Sequence, residues 1–319
     1  MDQQPDVSVI VAAYNGMPYI ERMLASLVRQ TIGLAHMQVL VVDDGSTDET
    51  PAVLDQTAAA HPSFEIIHQP NFGRPAGPRN RALKSVRGRY VFFLDQDDYL
   101  SDDALETMVR TADVNGTDVV LARMKGVGGR GTQRTMFART IPRTDVHSCS
   151  AYWTLNPMKL FRAEMVRSLG LQFAEDSPWG EDEPFVAMAY LKGAGISILA
   201  DRDYVYWVYR DDLSNITTSV LALADRMPVV DRMFDLVAAN VPPGPERDRL
   251  MQRHFRVELG DSAFEGYRTE LDLGLRVAAF RRFREIVDAY YTERIESALP
   301  VGDRVLMRLI SEGRADEFA

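Results

Sequence analysis

Carboxylates cluster at two points in the first hundred residues, each directly after a short apolar run. Asp43 and Asp44 follow Val39–Val42, and Asp95-Gln96-Asp97-Asp98 follows Val91–Leu94. Carboxylates that lie close together repel one another unless a cation lies among them. Mg²⁺ and Mn²⁺ take such oxygen ligands and favour a phosphate-bearing partner. The pattern therefore predicts a site for a divalent cation and a phosphate, although Asp44 and Ser46 are also suited to capping a helix.

Alternating strands and helices must position these groups. Short apolar runs predict strands, and the apolar spacing of three and four between them predicts helices. The predicted strands are Val7–Ala13, Met37–Asp43, Phe64–His68, Tyr90–Leu94 and Asp118–Ala122. Because the helices return the chain across the sheet, we expect parallel strands with right-handed connections. The fold class is therefore α/β with a mostly parallel, Rossmann-like sheet and helices on both faces, and ligands are expected at the carboxyl ends of its strands.

Local signals predict where the intervening segments begin and end. Ser46 and Glu49 have the spacing of a capping box before the second helix. Gly88 is expected to end a helix near residues 77–87. Residues 123–150 lack clear periodicity and are expected to form a flexible flap or a hairpin.

The end of the chain is predicted to be helical. A strand is predicted at Tyr204–Tyr209, and no strand signal returns after about residue 219. We therefore predict an α/β domain at residues 1–218 and a helical domain at residues 219–319. The basic group Phe280–Arg284 is interpreted as a solvated helix face, or as a docking surface for an anionic acceptor or for a homo-oligomer.

The composition argues against several classes of protein. The 319 residues carry a formal charge of −10, whereas nucleic-acid binders need a basic surface. No apolar run approaches the ~20 residues of a membrane-spanning helix, and the N-terminus lacks the features of a signal peptide. The single cysteine, Cys149, excludes a disulfide within the chain and a cysteine-clustered zinc site. We expect a cytoplasmic protein with no membrane span.

Three blocks of sequence together resemble the family-2 nucleotide-sugar glycosyltransferases. The blocks are Ser8–Asn15, Val41–Asp48 and Phe93–Asp98, and they occur in the order and spacing of that family. The resemblance covers roughly the first 120 residues. It implies a GT-A fold and an inverting, metal-dependent transfer of a sugar from a UDP-sugar to a hydroxyl. The second half makes the chain look most like enzymes that add N-acetylglucosamine to teichoic-acid-type polyol-phosphate polymers.

The resemblance assigns ten residues to the nucleotide-sugar: Ala13, Tyr14, Asp43, Asp44, Asn71, Arg79, Asp95, Gln96, Arg210 and Ser214. The backbone at Ala13 and the ring of Tyr14 would hold uracil and ribose, and Asp44 or Asp43 would accept a hydrogen bond from the uracil N–H. The loop that contains Asn71 and Arg79 would contact the base.

The resemblance also implies a metal ligand. Asp95 would face the ribose or the sugar, and Asp97 would be the principal ligand of Mn²⁺ or Mg²⁺ on the diphosphate. The metal would make UDP a better leaving group. Arg210 and Ser214 would lie on a loop over the diphosphate. Similar enzymes often have a histidine there, and this chain has Asp211 and Asp212 instead, so the phosphate contacts of this loop stay open.

A second acidic group lies in Trp179–Phe185. By the resemblance, Asp182 would be the general base that deprotonates the acceptor hydroxyl, and Glu181 would orient the acceptor or the sugar. The same acids would also be stabilised at a helix N-terminus without any catalytic role. Trp179, three residues before Asp182, is a candidate for stacking on a sugar ring.

Other interpretations remain open from the sequence alone. The acceptor could be a lipid, a capsule sugar or a secondary metabolite, and the donor could be another nucleotide-sugar. A nucleotidyltransferase would need a glycine-rich basic loop after the first strand, where this chain has Tyr14–Pro18. A non-catalytic module that binds nucleotide-sugar would not need Asp182. Gly126, Gly128 and Gly131 match a dinucleotide-binding pattern, but no apolar helix follows them.

Overall fold

The computed structural model describes residues 4–132, 134–210 and 221–318. The chain forms two compact units. The first contains Met1–Glu175 and Phe185–Thr218, and the second contains Asp176–Pro184 and Ser219–Ala319. The sequence-based domain assignment put residues 176–184 in the α/β domain, whereas the structure groups this segment with the helical unit.

The first unit contains alternating strands and helices. The strands are β1 Val7–Ala13, β2 Met37–Asp43, β3 Phe64–His68, β4 Tyr90–Asp95, β5 Tyr99–Leu100, β6 Val119–Ala122, β7 Met124–Val127, β8 Ile141–Thr144, β9 Leu160–Arg162, β10 Ile196–Leu199 and β11 Val205–Val208. The helices are α1 Tyr19–Val28, α2 Thr50–Ala60, α3 Ala76–Leu83, α4 Ala104–Asn115, α5 Ala163–Ser168 and α6 Glu183–Lys192, whose first two residues belong to the second unit.

The large sheet has the strand order β3-β2-β1-β4-β9-β6-β10-β8 within the described residues. β1 pairs in parallel with β2 and β4, and β2 pairs in parallel with β3. β9 is antiparallel to both β4 and β6. A smaller sheet has the order β5-β11-β7. The α/β class with a mostly parallel sheet is confirmed.

The buried core explains why β1 is mostly apolar. In β1, Val7, Val9 and Val11 are fully buried in one cluster with Leu24 and Leu27 of α1. A strand that is covered on both faces shows no apolar–polar alternation, which is typical of parallel sheets. Each buried side chain of this size contributes about 1.5–3 kcal/mol.

Three local predictions were wrong. Helix α2 begins at Thr50 with Glu49 at its N-cap position and has no side-chain cap, because Ser46 lies too early in the chain to cap it. The Ser46 hydroxyl instead accepts a hydrogen bond from the Asn15 N–H. Gly88 does not end α3. A Cβ at Gly88 would lie 2.4 Å from the Ser8 nitrogen, so glycine is needed where the chain passes β1. Within residues 123–150, β7 and β8 do not pair with each other as a hairpin, since β7 pairs with β11 and β8 pairs with β10.

The second unit is helical. After residue 220 its elements are α7 Leu223–Asn240, α8 Pro245–His254, a π-helical segment Phe255–Ala263, α9 Phe264–Thr269, α10 Leu273–Tyr290, α11 Glu293–Ala298, α12 Val301–Ser311 and α13 Ala315–Phe318. In the basic group, Phe280 and Phe283 are buried and Arg282 bonds Asp231 and Glu285, so its charge is partly neutralised. No helix in the described ranges is long and apolar enough to cross a bilayer.

Candidate active site

The carboxyl ends of β1, β2 and β4 bring residues distant in sequence to one edge of the sheet. Ala13 pairs in register with Asp43, and Ala12 pairs with Asp95. Ala13 is buried, while the Tyr14 side chain that follows it is 43% exposed. An exposed aromatic side chain therefore follows the end of β1, where it is available to stack on a ligand.

Two hydrogen bonds between Gln96 and Tyr14 connect the ends of β1 and β4. The Tyr14 N–H donates to Gln96 Oε1 at 2.9 Å, and Gln96 Nε2 donates to the Tyr14 carbonyl at 2.8 Å. The resemblance had assigned Gln96 to the nucleotide-sugar. The structure shows the Gln96 amide bonded to the Tyr14 backbone, where it holds the chain at the end of β1.

The two carboxylates after β2 have different partners. Asp43 accepts from the Ser46 N–H at 3.1 Å and lies 2.8 Å from His68 Nδ1, and the hydrogen bonds to Asp43 and Asp55 raise the pKa of His68. Asp44 accepts from the backbone N–H of Phe72 at 2.9 Å. Asp43 thus supports its own strand end, while Asp44 anchors the loop that follows β3.

That loop carries Asn71, which is exposed, as expected of a residue that contacts a ligand. Its backbone passes so close to Gly45 that a Cβ there would lie 2.9 Å from the Asn71 nitrogen. Gly45 also has φ +75, a conformation that L side chains rarely adopt. Glycine is therefore required where these two loops meet.

Two ion pairs organise the acidic group after β4. Arg79 Nη2 donates to Asp95 Oδ1 at 2.7 Å, and Arg210 Nε donates to Asp97 Oδ2 at 2.9 Å. Burial and the neighbouring charge of Asp95 raise the pKa of Asp97, while Arg210 opposes that shift. Arg79 and Arg210 partly neutralise the negative charge of these carboxylates. Guanidinium groups also bind phosphate.

Asp98 and Arg130 also belong to this region. Asp98 was counted among the acids after β4 from the sequence, although no ligand contact was assigned to it, whereas Arg130 was not found as a site residue. Asp98 accepts from the Val208 N–H at 2.7 Å, and burial with the nearby Asp95 and Asp97 raises its pKa well above the usual range. Arg130 donates to the Val208 carbonyl at 3.0 Å and lies over the Trp207 ring at 3.6 Å. The signal in the sequence was an arginine within a glycine-rich loop, and that loop had been interpreted as a flexible loop over the active site without Arg130 being assigned a role.

The acids at the end of β4, Asp95 and Asp97, fit a divalent cation whose other oxygen ligands come mainly from a bound phosphate and water. In the described part of the chain, no group of three or more His, Cys, Asp or Glu side chains is arranged to hold a metal ion by itself. Mg²⁺ in phosphate sites usually takes one or two protein carboxylates, and phosphate and water complete its shell. Asp97, with Asp95 nearby, supplies hard oxygen donors of that kind.

The second acidic group lies in the segment 176–184 of the helical unit. Glu181 and Asp182 are partly exposed, as is Trp179. Gly180 has φ +63, and a Cβ there would lie 3.0 Å from Val229 of α7, so this segment packs closely on that helix. Ser214, the remaining predicted residue, lies outside the described residues together with Asp211 and Asp212.

Two family models match the chain. The model described as Glycosyl transferase family 2 matches residues 8–172, just over half of the chain. The model described as Glycosyl transferase TarS linker domain matches residues 224–319. The first match contains the strand-end residues from Ala13 to Asp98, and the second lies within the helical unit.

Curated proteins and solved structures agree with these matches. The poly(ribitol-phosphate) beta-glucosyltransferase of Bacillus spizizenii is 36% identical over 206 residues, which are 64% of this chain and 32% of that protein. The poly(ribitol-phosphate) beta-N-acetylglucosaminyltransferase TarS of Staphylococcus aureus is 36% identical over 204 residues, 64% of this chain and 36% of that protein. The match thus spans about a third of the length of these relatives.

The crystal structure of S. aureus TarS 1-349 in complex with UDP-GlcNAc has a TM-score of 0.86 and 27% identity, covering 98% of this chain and 89% of that one. The expected GT-A fold is confirmed.

Proposed function

This chain belongs to glycosyl transferase family 2, and from that premise we propose that it is an inverting transferase that moves N-acetylglucosamine from UDP-N-acetylglucosamine to a hydroxyl of a polyol-phosphate polymer. One observation carries the proposal: the fold of a TarS structure in complex with UDP-GlcNAc extends over 98% of this chain. The register that brings Ala13, Asp43 and Asp95 to one sheet edge supports it, because ligands bind at that edge in open α/β sheets.

The nucleoside half of the donor binds at the ends of β1 and β2. The exposed Tyr14 ring stacks on the base or the ribose, and Gln96 holds the backbone from which that ring projects. Asp44 holds the loop of Asn71 because its carboxylate accepts from Gln69 Nε2 and from the N–H groups of Phe72 and Gly73. The lone pair that remains on Asp44 Oδ2 is suited to the uracil N–H. These contacts select a uracil nucleotide by hydrogen bonding and stacking.

The diphosphate half binds at the acidic edge. Arg210 is already held beside Asp97, so its guanidinium needs little reordering to bind a phosphate oxygen. Asp97, with Asp95, would hold Mn²⁺ or Mg²⁺ on the diphosphate. Such a cation, when bound, neutralises the charge that develops on UDP as the bond to the sugar breaks. Arg79 keeps Asp95 in place for this role.

Asp182 is the general base in this proposal. It takes the proton of the acceptor hydroxyl as that oxygen forms a bond to C1 of the sugar, and the bond from C1 to the UDP oxygen breaks with its electron pair leaving on UDP. Attack from the face opposite UDP inverts the configuration at C1. Glu181 orients the acceptor hydroxyl or the sugar. The acceptor proton, the new glycosidic bond and the departing UDP balance without a further reactant.

UDP-glucose is the second donor to test. The glucosyltransferase of B. spizizenii and S. aureus TarS are each 36% identical to this chain, so identity alone does not favour one sugar. The discriminating experiment is UDP release from each nucleotide-sugar with poly(ribitol phosphate) as acceptor and with Mn²⁺, Mg²⁺ or a chelator. Polymer that gains N-acetylglucosamine supports the proposal, and gain of glucose alone would replace the donor. Absence of UDP release from every nucleotide-sugar would refute a transferase.

A further inference from the structure

The segment that carries Glu181 and Asp182 is held at both ends by arginines of the helical unit. At one end Arg232 of α7 donates to Asp176 at 2.8 Å, in an exposed pair that contributes little to stability. At the other end Arg253 of α8 donates to Glu183 at 3.1 Å, and both of these side chains are more than nine-tenths buried. Glu183 directly follows Asp182, so the strong contact lies next to the proposed base.

Arg253 bridges two acids. Its Nη2 reaches Glu183 Oε1, and its Nη1 donates to Glu258 Oε1. Glu258 Oε2 in turn lies 2.6 Å from Nδ1 of the fully buried His254. The planar guanidinium has a rigid fork that suits two carboxylates at once, which a lysine ammonium cannot reproduce. The four side chains form one buried network, called here the Arg253 network.

A π-helical segment after α8 brings the side chains of the Arg253 network together. The chain from Phe255 to Ala263 is π-helical, with a wider turn than an α-helix. Within it Glu258 bonds residues four and five positions earlier, His254 and Arg253. Short π-helical turns are often found at functional sites. The irregular turn thus presents Glu258 to Arg253, which in turn holds Glu183.

The charges of the network are nearly balanced inside the helical unit. Burial, with the nearby Glu258, raises the pKa of Glu183 to about 7. Burial also raises the pKa of Glu258, and burial with the neighbouring Arg253 lowers the pKa of His254 to about 3. Buried ion pairs are a weak source of stability, because apolar side chains of similar volume often stabilise a fold as well. A positional role accounts better for such a network beside the segment.

We propose that Arg253 is a positioning residue that, through Glu183, fixes the segment of Glu181 and Asp182 in the geometry that proton transfer requires. This inference rests on the proposed function of Asp182. Catalytic groups that are misplaced by about 1 Å can lose roughly 100-fold in rate. The segment of the proposed base thus belongs to the helical unit, whose own residues hold it in place.

The test compares variants that differ in their ability to hold the segment. Glu183→Ala removes the acceptor of Arg253, whereas Glu183→Gln keeps a carbonyl oxygen in the same place. Arg253→Lys keeps the charge but loses the fork. We expect kcat to fall at least about 10-fold in Glu183→Ala and Arg253→Lys, to stay within about 3-fold in Glu183→Gln, and the KM for UDP-GlcNAc to stay within about 3-fold in all.

Arg226→Lys is the matched control for folding. Arg226 is a buried arginine of the same unit, and it bonds the carbonyl oxygens of Leu221 and Ser262 and not the 176–184 segment. All rates are measured well below each variant's Tm. If Arg226→Lys loses kcat as strongly as Arg253→Lys, or if Glu183→Ala retains wild-type kcat, the inference is overturned.

A second measurement does not depend on activity. Hydrogen exchange followed by mass spectrometry reports how firmly the amides of residues 177–183 are held. We expect exchange there to accelerate at least about 10-fold in Glu183→Ala and Arg253→Lys, but not in Arg226→Lys or Glu183→Gln. Unchanged exchange in both overturns the positioning role. A wild-type protein without turnover, or an Asp182→Asn variant with full turnover, counts instead against the proposed function.

Discussion

Arg210 donates from Nε to Oδ2 of Asp97 at 2.9 Å, and both side chains are nearly buried. The pair joins the loop after β11 to the acidic group after β4, two segments more than a hundred residues apart in sequence. In the proposed reaction both groups serve the diphosphate, Arg210 directly and Asp97 through a cation. The contact keeps two groups of opposite charge in place before the donor binds.

The first prediction concerns Arg210. A hydrogen bond to a charged group contributes about 1.5–3 kcal/mol, so Arg210→Gln is expected to weaken UDP-GlcNAc binding about 10- to 100-fold. Isothermal titration calorimetry measures this affinity. The control is Arg202→Gln, which removes an arginine of the same unit from an exposed pair with Asp103. Equal affinities for both variants would remove Arg210 from the diphosphate site.

The second prediction concerns Asp97. Ligands that bind only the native state raise its Tm, so UDP-GlcNAc with Mn²⁺ should stabilise the wild-type protein more than UDP-GlcNAc with a chelator. Asp97→Asn is expected to lose this metal-dependent difference, because the amide is a poorer ligand than a carboxylate. Asp102→Asn, an exposed aspartate that pairs with Arg29, should retain it. A metal-dependent rise that survives in Asp97→Asn would exclude Asp97 as the principal ligand.

The third prediction concerns Gly45. Gly45→Ala introduces a Cβ 2.9 Å from the Asn71 nitrogen at a positive φ, whereas Gly33→Ala at φ +82 meets nothing within 4 Å. Backbone strain of this kind costs about 1–3 kcal/mol. Both variants should therefore be less stable in urea unfolding, and only Gly45→Ala should also weaken UDP binding, since it displaces the Asn71 loop. Normal UDP affinity in Gly45→Ala would show that this loop does not contact the nucleotide.

The fourth prediction concerns Glu183 and pH. Its pKa is raised from 4.5 to about 7, so between these values the unfolded chain releases a proton that the folded chain retains. The titration of Glu183 therefore lowers the free energy of unfolding as the pH rises from about 4.5 to about 7. Above about pH 7 this effect no longer changes with pH. Glu183→Gln removes the titration, so its Tm relative to the wild-type protein should increase from pH 5 to pH 8.

The control for this pH series is Glu317→Gln. Arg314 lowers the pKa of Glu317, so this carboxylate is ionised in both the folded and the unfolded chain between pH 5 and pH 8. Its Tm relative to the wild-type protein should therefore stay constant. A constant difference for Glu183→Gln as well would mean that Glu183 does not retain its proton in the folded protein.

The first strands and the acidic edge could be predicted from the sequence for one physical reason. Strands β1, β2 and β3 have the predicted bounds. In β1 and β2 nearly every residue is buried, so these strands are mostly apolar runs, and the edge strand β3 is shorter and only partly buried. Parallel pairing then puts their carboxyl ends at one edge. The short strand β9 was missed because it has three residues and pairs with β4 and β6, which lie far away in sequence.

The Arg253 network was missed for a different reason. The five histidines of the chain lack zinc-like spacing, so residue type alone does not single out His254. A clearer signal was present: His254 and Glu258 share the helical face of the buried Met251, Phe255 and Leu259. Polar side chains at apolar positions of a helix are buried and must find partners there. Their partner in the segment before Phe185 could not be derived from helical spacing.

The most direct test of the central account is transfer by the wild-type protein and by Asp182→Asn. Both are incubated with UDP-GlcNAc, Mn²⁺ and poly(ribitol phosphate), and UDP release, sugar on the polymer and UDP affinity are measured. We predict glycosylated polymer with the wild-type protein, at least about 1,000-fold slower transfer with Asp182→Asn, and equal UDP affinity for both. Equal transfer rates would contradict Asp182 as the base, and UDP binding without any transfer by the wild-type protein would contradict the enzyme itself.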